Sequence, residues 1–274
     1  MHIASFFSSE GMGSQPTKHL LTMPHLLYIL LAAVALIVLI SVLKDQKKRT
    51  QDIVIILSCI LLLVLKYAGE AVFVYEYYAY GEPVSPYTHA FWDVRTFFSF
   101  QMCGVNNVLL PIVVIFNIRW MKDFIYTTSI IGGLAVILYP VGVFYGDPLI
   151  LSFPMVRSLV VHFLLLFLPI YLIAVGRFRL KAKHWRRTLI GTLSMGVWAM
   201  IGNLFLEPTT NNMYLMSNPF YDGPIPVLNH LPDGYHVLAL AVLIFIGFVL
   251  VYKMIFIYQR HLDDQPFYAY KKVY

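Results

Sequence analysis

Long apolar runs separated by short polar stretches organise this chain. Seven are long enough to matter: residues 24–43, 53–75, 97–117, 124–145, 154–175, 187–206 and 235–258. Each approaches the roughly 20 apolar residues that a helix needs to cross a hydrocarbon layer about 30 Å thick. Leucine, isoleucine, valine and phenylalanine occur all round each helix, as contact with lipid requires. Strands span a bilayer only in closed barrels, and these runs are too long and lack the alternation of barrel strands. The pattern predicts an all-α fold, a polytopic membrane helix bundle of about seven transmembrane helices. The chain divides into an N-terminal extracytoplasmic segment (1–23), a transmembrane domain (24–258) and a cytoplasmic tail (259–274), with no soluble domain and no clear repeat.

The loops supply a direction. Lys44, Lys47, Lys48 and Arg49 lie in the first, Arg119 and Lys122 in the third, Arg177, Arg179, Lys181, Lys183, Arg186 and Arg187 in the fifth, and Arg260, Lys271 and Lys272 in the tail. The alternate set carries only Lys18 and Arg95. The positive-inside rule then puts the basic set in the cytoplasm, the N-terminus outside and the C-terminus inside. A plasma membrane is the simplest home for such a multi-pass chain.

Composition narrows the function. Of 274 residues, 12% are charged and 59% hydrophobic, whereas soluble domains carry about 25% charge. The net charge of +6 sits in the short loops, so it marks topology and lipid headgroups rather than nucleic acid. Cys59 and Cys103 both fall in apolar runs, with no disulfide framework or metal-ligand spacing. The sequence calls for no metal and no cofactor. Haem is disfavoured because only His162 lies well inside a span.

Ionisable and amide groups at membrane depth are costly and are functional candidates. Lys66 and Glu70 (i, i+4), Gln101, Cys103, Asn106, Asn107, Arg157, His162, Asn203 and Glu207 all fall in the half of their helix away from the basic loops. Tyr235 and His236 open the last helix at the same level. At 1.5 Å per residue, Cys103 and His162 would lie roughly 9–12 Å below the boundary. A buried polar chamber accounts for this layer. The simpler readings are a self-neutralising Lys66–Glu70 pair, asparagines as interhelical glue and cysteines as inert small apolar residues. Cys59, with no polar neighbour, reads as structural. A solute transporter or permease would also place polar groups at depth, but the apolar half near the basic loops offers no continuation of a path. A receptor or non-catalytic lipid-binding protein shares only the topology.

The run Gln101-Met102-Cys103-Gly104-Val105-Asn106-Asn107-Val108-Leu109-Leu110-Pro111 resembles a third-helix motif of YwaF-type bacterial membrane proteins, relatives of the transmembrane protein 164 family. Cys103, Asn106 and Pro111 match that motif. Gln101 stands where a histidine is usual, and Ser99 where a proline is. Arg157-Ser-Leu-Val-Val-His162 resembles the family's histidine-bearing helix. Asn203, then Asn211-Asn212-Met213-Tyr214-Leu215 and Pro219, resemble its asparagine, Asn-Tyr-Met-x-Leu and proline, with Asn212 in place of tyrosine. The resemblance covers residues 60–258. It implies acyl transfer or hydrolysis on a membrane phospholipid or lysophospholipid, with Cys103 as nucleophile and His162 as general base. Without a histidine at Gln101 that chemistry depends on His162. Arg157, Gln101, Asn106, Asn203, Asn212 and Glu70 are the candidate substrate-binding residues: Arg157 for a phosphate, Asn106, Gln101 or Arg157 for an oxyanion.

Overall fold

The computed structural model describes residues 6–12, 17–81, 84–146, 149–206, 210–221 and 223–263; Glu207, Lys271 and Lys272 lie outside them. Seven helices of the described residues form a bundle: α1 (Met23–Leu43), α2 (Lys48–Tyr80), α3 (Met102–Ile115), α4 (Arg119–Leu138), α5 (Phe153–Ala174), α6 (Trp185–Ile201) and α7 (Tyr235–Asp263). Six stretches are long and apolar enough to cross a membrane, α6 counting together with its extensions at both ends; α3 is shorter. The chain is therefore a multi-pass all-helical membrane protein.

Helix ends follow local chemistry. Pro24 opens α1, where a missing N–H costs nothing. Gly81 closes α2 at φ 71°, a left-handed cap that glycine adopts without strain. At about 1.5 Å per residue the 33 residues of α2 reach roughly 50 Å, well past the hydrocarbon layer. Ser152 caps α5 by accepting from Met155 N at 3.4 Å.

The third span departs from the sequence reading. Residues 97–117 are not one helix: a single turn, Val94–Phe97, gives way to extended backbone at Phe98, and helix resumes only at Met102. Phe100 holds this break. Its ring is buried, stacks on Trp198 at 4.9 Å and lies where a side chain on Gly202 would stand. The Trp198 indole also donates to Ser99 O at 2.9 Å.

Helices α4 and α5 form the centre. α4 packs against α1, α3, α5, α6 and α7, and α5 against α1, α2, α3, α4 and α7. α1 and α7 are peripheral: His25 and Ala32 are the buried residues of α1, while Leu30, Leu31, Ile37 and Val42 are exposed, as a lipid-facing helix requires. The basic loops converge on one end of the bundle. There Arg177 pairs with Asp52 at 2.6 Å, His184 with Asp123 at 2.9 Å, and Arg179 with Asp263. Tyr171 OH donates to Leu43 O at 3.2 Å at the same end.

The opposite end is closed by chain that folds back. Ser9 is buried; its N–H donates to Glu76 at 2.7 Å, and its hydroxyl bonds both Glu76 and Ser85. His19 Nε2 donates to Gly146 O at 2.8 Å. The loop between α6 and α7 also returns into the bundle at this end.

Candidate functional site

The polar layer lies at the end of the bundle away from the basic loops. Cys103 is the second residue of α3, so it sits in a first helical turn rather than six residues inside a span. The residue Phe100 just before this turn is buried against Trp198, while Phe97 and Phe98 of the same break are exposed. Two consecutive glycines of α4 connect Cys103 to α5. A Cβ on Gly132 would stand 3.0 Å from Cys103 Sγ, and one on Gly133 would stand 2.7 Å from His162 O and 3.0 Å from Leu166 N. Cys103 and His162 therefore flank the same step of α4, which only side chains of hydrogen allow to pack so closely.

His162 Nδ1 is 2.7 Å from Ser158 O, one turn back along α5. A carbonyl accepts, so Nδ1 carries a proton, and in the neutral ring Nε2 then holds the lone pair, the tautomer a general base needs. Among the described residues Nε2 makes no hydrogen bond, and Cys103 Sγ is not hydrogen-bonded to it. Catalytic hydrogen bonds commonly tighten only with substrate in place. Cys103 is partly accessible, whereas Cys59 is fully buried in the apolar core.

Arg157 lies one turn and a half before His162. Its guanidinium rests on the backbone of α2 at Gly69, where a Cβ would be 1.8 Å from Nη1, and stands 5.7 Å from the Phe73 ring centre. Nε is buried without a partner. Among the described residues Arg157 makes no ion pair or hydrogen bond. Glu70 is occupied elsewhere: Lys66 pairs with it along α2, and His89 Nε2 lies 3.5 Å from its other oxygen. Among the described residues the layer therefore presents a neutralised pair, Lys66 with Glu70, and the Arg157 cation available to an anion.

The amides anchor backbone. Asn106 donates to Thr128 Oγ1 at 3.2 Å and ties α3 to α4. Asn203 sits in a π-helical turn, Gly202–Leu206, that continues α6. It accepts from Asn212 N at 2.7 Å and donates to Asn212 O at 3.1 Å, clamping the returning loop. Gln101 Oε1 accepts from Met213 N at 2.6 Å. Gln101 thus fastens the loop to the start of α3 and does not cap it. His236 Nε2 donates to Tyr214 O at 2.9 Å from α7. Under this clamp Met213 and Tyr214 both hold positive φ, 53° and 56°.

The sequence reading did not single out Tyr214, Gly69, His89 or the Gly132–Gly133 pair. The last has a weak local signal, adjacent glycines within an apolar helix. The others depend on contacts between distant segments.

Beneath the layer Cys59, Leu62, Leu110, Leu165 and Leu168 are fully buried, but toward the basic end α4 also buries Asp123, Thr127, Thr128 and Ser129, so that half is not wholly apolar as its sequence pattern suggests. Comparison with curated proteins and with solved structures gave no match. The family model described as TMEM164 family matches residues 17–255, which include every helix start and every residue of the polar layer described above. The chain belongs to the TMEM164 family.

Proposed function

We propose that this protein moves or hydrolyses an acyl chain of a membrane phospholipid through a thioester at Cys103. The observation that carries this reading is the placement of Cys103 and of His162, whose Nδ1 is held by the Ser158 carbonyl, on either side of the Gly132–Gly133 step. A thiol becomes a strong nucleophile once an imidazole accepts its proton. In the first half-reaction His162 Nε2 takes the thiol proton, Sγ bonds the ester carbonyl carbon, and the ester C–O bond breaks. The departing lysophospholipid alkoxide takes the proton from His162. In the second, a lysophospholipid hydroxyl or water attacks the thioester with His162 as base, and the thiol returns.

The surroundings support this. Cys103 lies in the first turn of α3, whose leading N–H groups have no intrahelical partner and no side-chain cap, so they are suited to a developing oxyanion. Arg157 offers its guanidinium to a phosphate, as the headgroup of the substrate requires. The apolar side chains next to the layer, Cys59, Leu62, Leu110, Leu165 and Leu168, suit acyl tails. By the positive-inside rule the site opens to the outer leaflet, with the N-terminus outside and a plasma membrane as the simplest location.

The test is acyl exchange between a diacyl phospholipid and a lysophospholipid by the purified protein. Cys103→Ala and His162→Gln should each abolish exchange while leaving thermal unfolding in detergent nearly unchanged. Full exchange by Cys103→Ala would defeat the proposal. Bound phospholipid without turnover in the wild type would favour a lipid-binding protein that uses Arg157 alone.

A further inference from the structure

We propose that Tyr214 is a catalytic hydrogen-bond donor to the acyl carbonyl oxygen at Cys103; this rests on the Cys103–His162 reading above.

The argument starts with backbone strain. Left-handed φ at one non-glycine residue is uncommon, and here Met213 and Tyr214 hold it in succession. Such strain persists only where surrounding structure enforces it, and it concentrates at functional sites. Three anchors from three separate elements enforce it: Gln101 at the start of α3, Asn203 in the π-helical turn and His236 in α7. A loop needing only to cross from α6 to α7 has no use for this arrangement.

The anchors also fix a register. Gln101 grips the residue before Tyr214 and lies two residues before Cys103, so the clamp couples the tyrosine to the nucleophile's helical turn. Tyr214 directly follows the residue that Gln101 grips, so it belongs to the segment held at the first turn of α3, and Cys103, Tyr87 and Tyr139 are the groups whose ionisation would act on its phenol. Burial pushes it up from its ordinary value, so the hydroxyl keeps its proton and remains a donor. Among the described residues it makes no hydrogen bond, and it is not sealed from contact. A buried tyrosine usually finds a partner for its hydroxyl. The acyl carbonyl of a lipid on Cys103 is a partner of the right kind.

In the step, Sγ bonds the ester carbonyl carbon and the C=O electron pair moves to oxygen. The Tyr214 O–H hydrogen-bonds that oxyanion without transferring its proton. The pair returns as the C–O bond to the lysophospholipid breaks, and the alkoxide takes the proton that His162 received from the thiol.

The experiment compares two reactions at the same sulfur, read on the Cys103 peptide by mass spectrometry. Full-length wild type and Tyr214→Phe are exposed in detergent micelles either to a diacyl phospholipid or to iodoacetamide. Acylation passes through an oxyanion, whereas alkylation by displacement at a saturated carbon does not. Tyr214→Phe should acylate about 100- to 1000-fold more slowly, with alkylation within about twofold of wild type. Equal acylation rates, or a matching fall in alkylation, would overturn the role. A wild type that alkylates but never acylates would instead defeat the Cys103–His162 reading, and this role with it. Should Tyr214→Phe fail to fold, Gln101→Leu, which frees Met213 N, is judged by the same two reactions.

Discussion

Substituting Gly69 by alanine tests the seat of Arg157 without touching any charged group. The new methyl would lie 1.8 Å from Nη1, 2.5 Å from Cζ and 2.8 Å from Cδ. All three atoms belong to a flexible side chain, so the guanidinium moves and the helices stay. It must retreat by roughly 1.5–2 Å to reach ordinary contact distance. That displacement is enough to break a charge-assisted hydrogen bond to a phosphate, worth about 1.5–3 kcal/mol. The expected loss of phospholipid affinity is about 10- to 100-fold. Alanine also favours helix over glycine by up to about 1 kcal/mol, so thermal stability should hold or rise slightly. Binding of a short-chain phospholipid, measured by titration in detergent alongside unfolding, separates the two effects. Unchanged affinity in Gly69→Ala, with affinity lost in Arg157→Ala, would refute the argument that this seat aims the guanidinium.

Other expectations follow from the same geometry. Gly133→Ala sets a methyl 2.7 Å from a backbone oxygen of α5, which cannot swing aside, so overpacking should cost about 1–3 kcal/mol in thermal unfolding. Gly196→Ala, with nothing within 4 Å of the added atom, should be neutral or stabilising in the same assay. Asp93 accepts from Arg95 Nε at 2.9 Å and Nη2 at 2.8 Å, and this hydrogen bonding holds its carboxyl below the usual range. A carboxyl depressed in the folded state stabilises fully above its unfolded value of about 3.9 and loses that effect as pH falls through the folded value. Asp93→Asn should therefore cost under about 1 kcal/mol at pH 7, the pair being partly exposed. That difference should fade in unfolding measured as pH drops below about 4.

Most of the fold is legible in the sequence because apolar runs encode it directly. Six of the seven expected spans correspond to long apolar helices, the fourth shifted toward the N-terminus, from 124–145 to Arg119–Leu138. The exception is instructive: Phe97, Phe98 and Phe100 extend the apolar run upstream of Met102, and composition cannot distinguish an apolar loop from a helix. The deciding contacts, Phe100 on Trp198 and against Gly202, join residues about a hundred positions apart. The Lys66–Glu70 pair was readable because it follows helical spacing. Gln101, Asn203 and Asn212 stood out as polar groups at depth. That they grip backbone was not readable, because each bond depends on how the loop between α6 and α7 returns. Tyr214 was hidden for the same reason, since a tyrosine near a membrane boundary reads as an interfacial residue. Arg157 was visible as a charge, but its lack of an ion pair among the described residues followed only once Glu70 was found to be engaged by Lys66 and His89.

The most direct test of the proposed chemistry is the mass of the Cys103 peptide after brief incubation with a diacyl phospholipid and rapid acid quench. The account predicts an added acyl chain on Cys103 that hydroxylamine removes, none on Cys59, and none when His162 is replaced by glutamine. An unmodified Cys103 in a protein that still exchanges acyl chains, or an adduct that persists undiminished in His162→Gln, would contradict it.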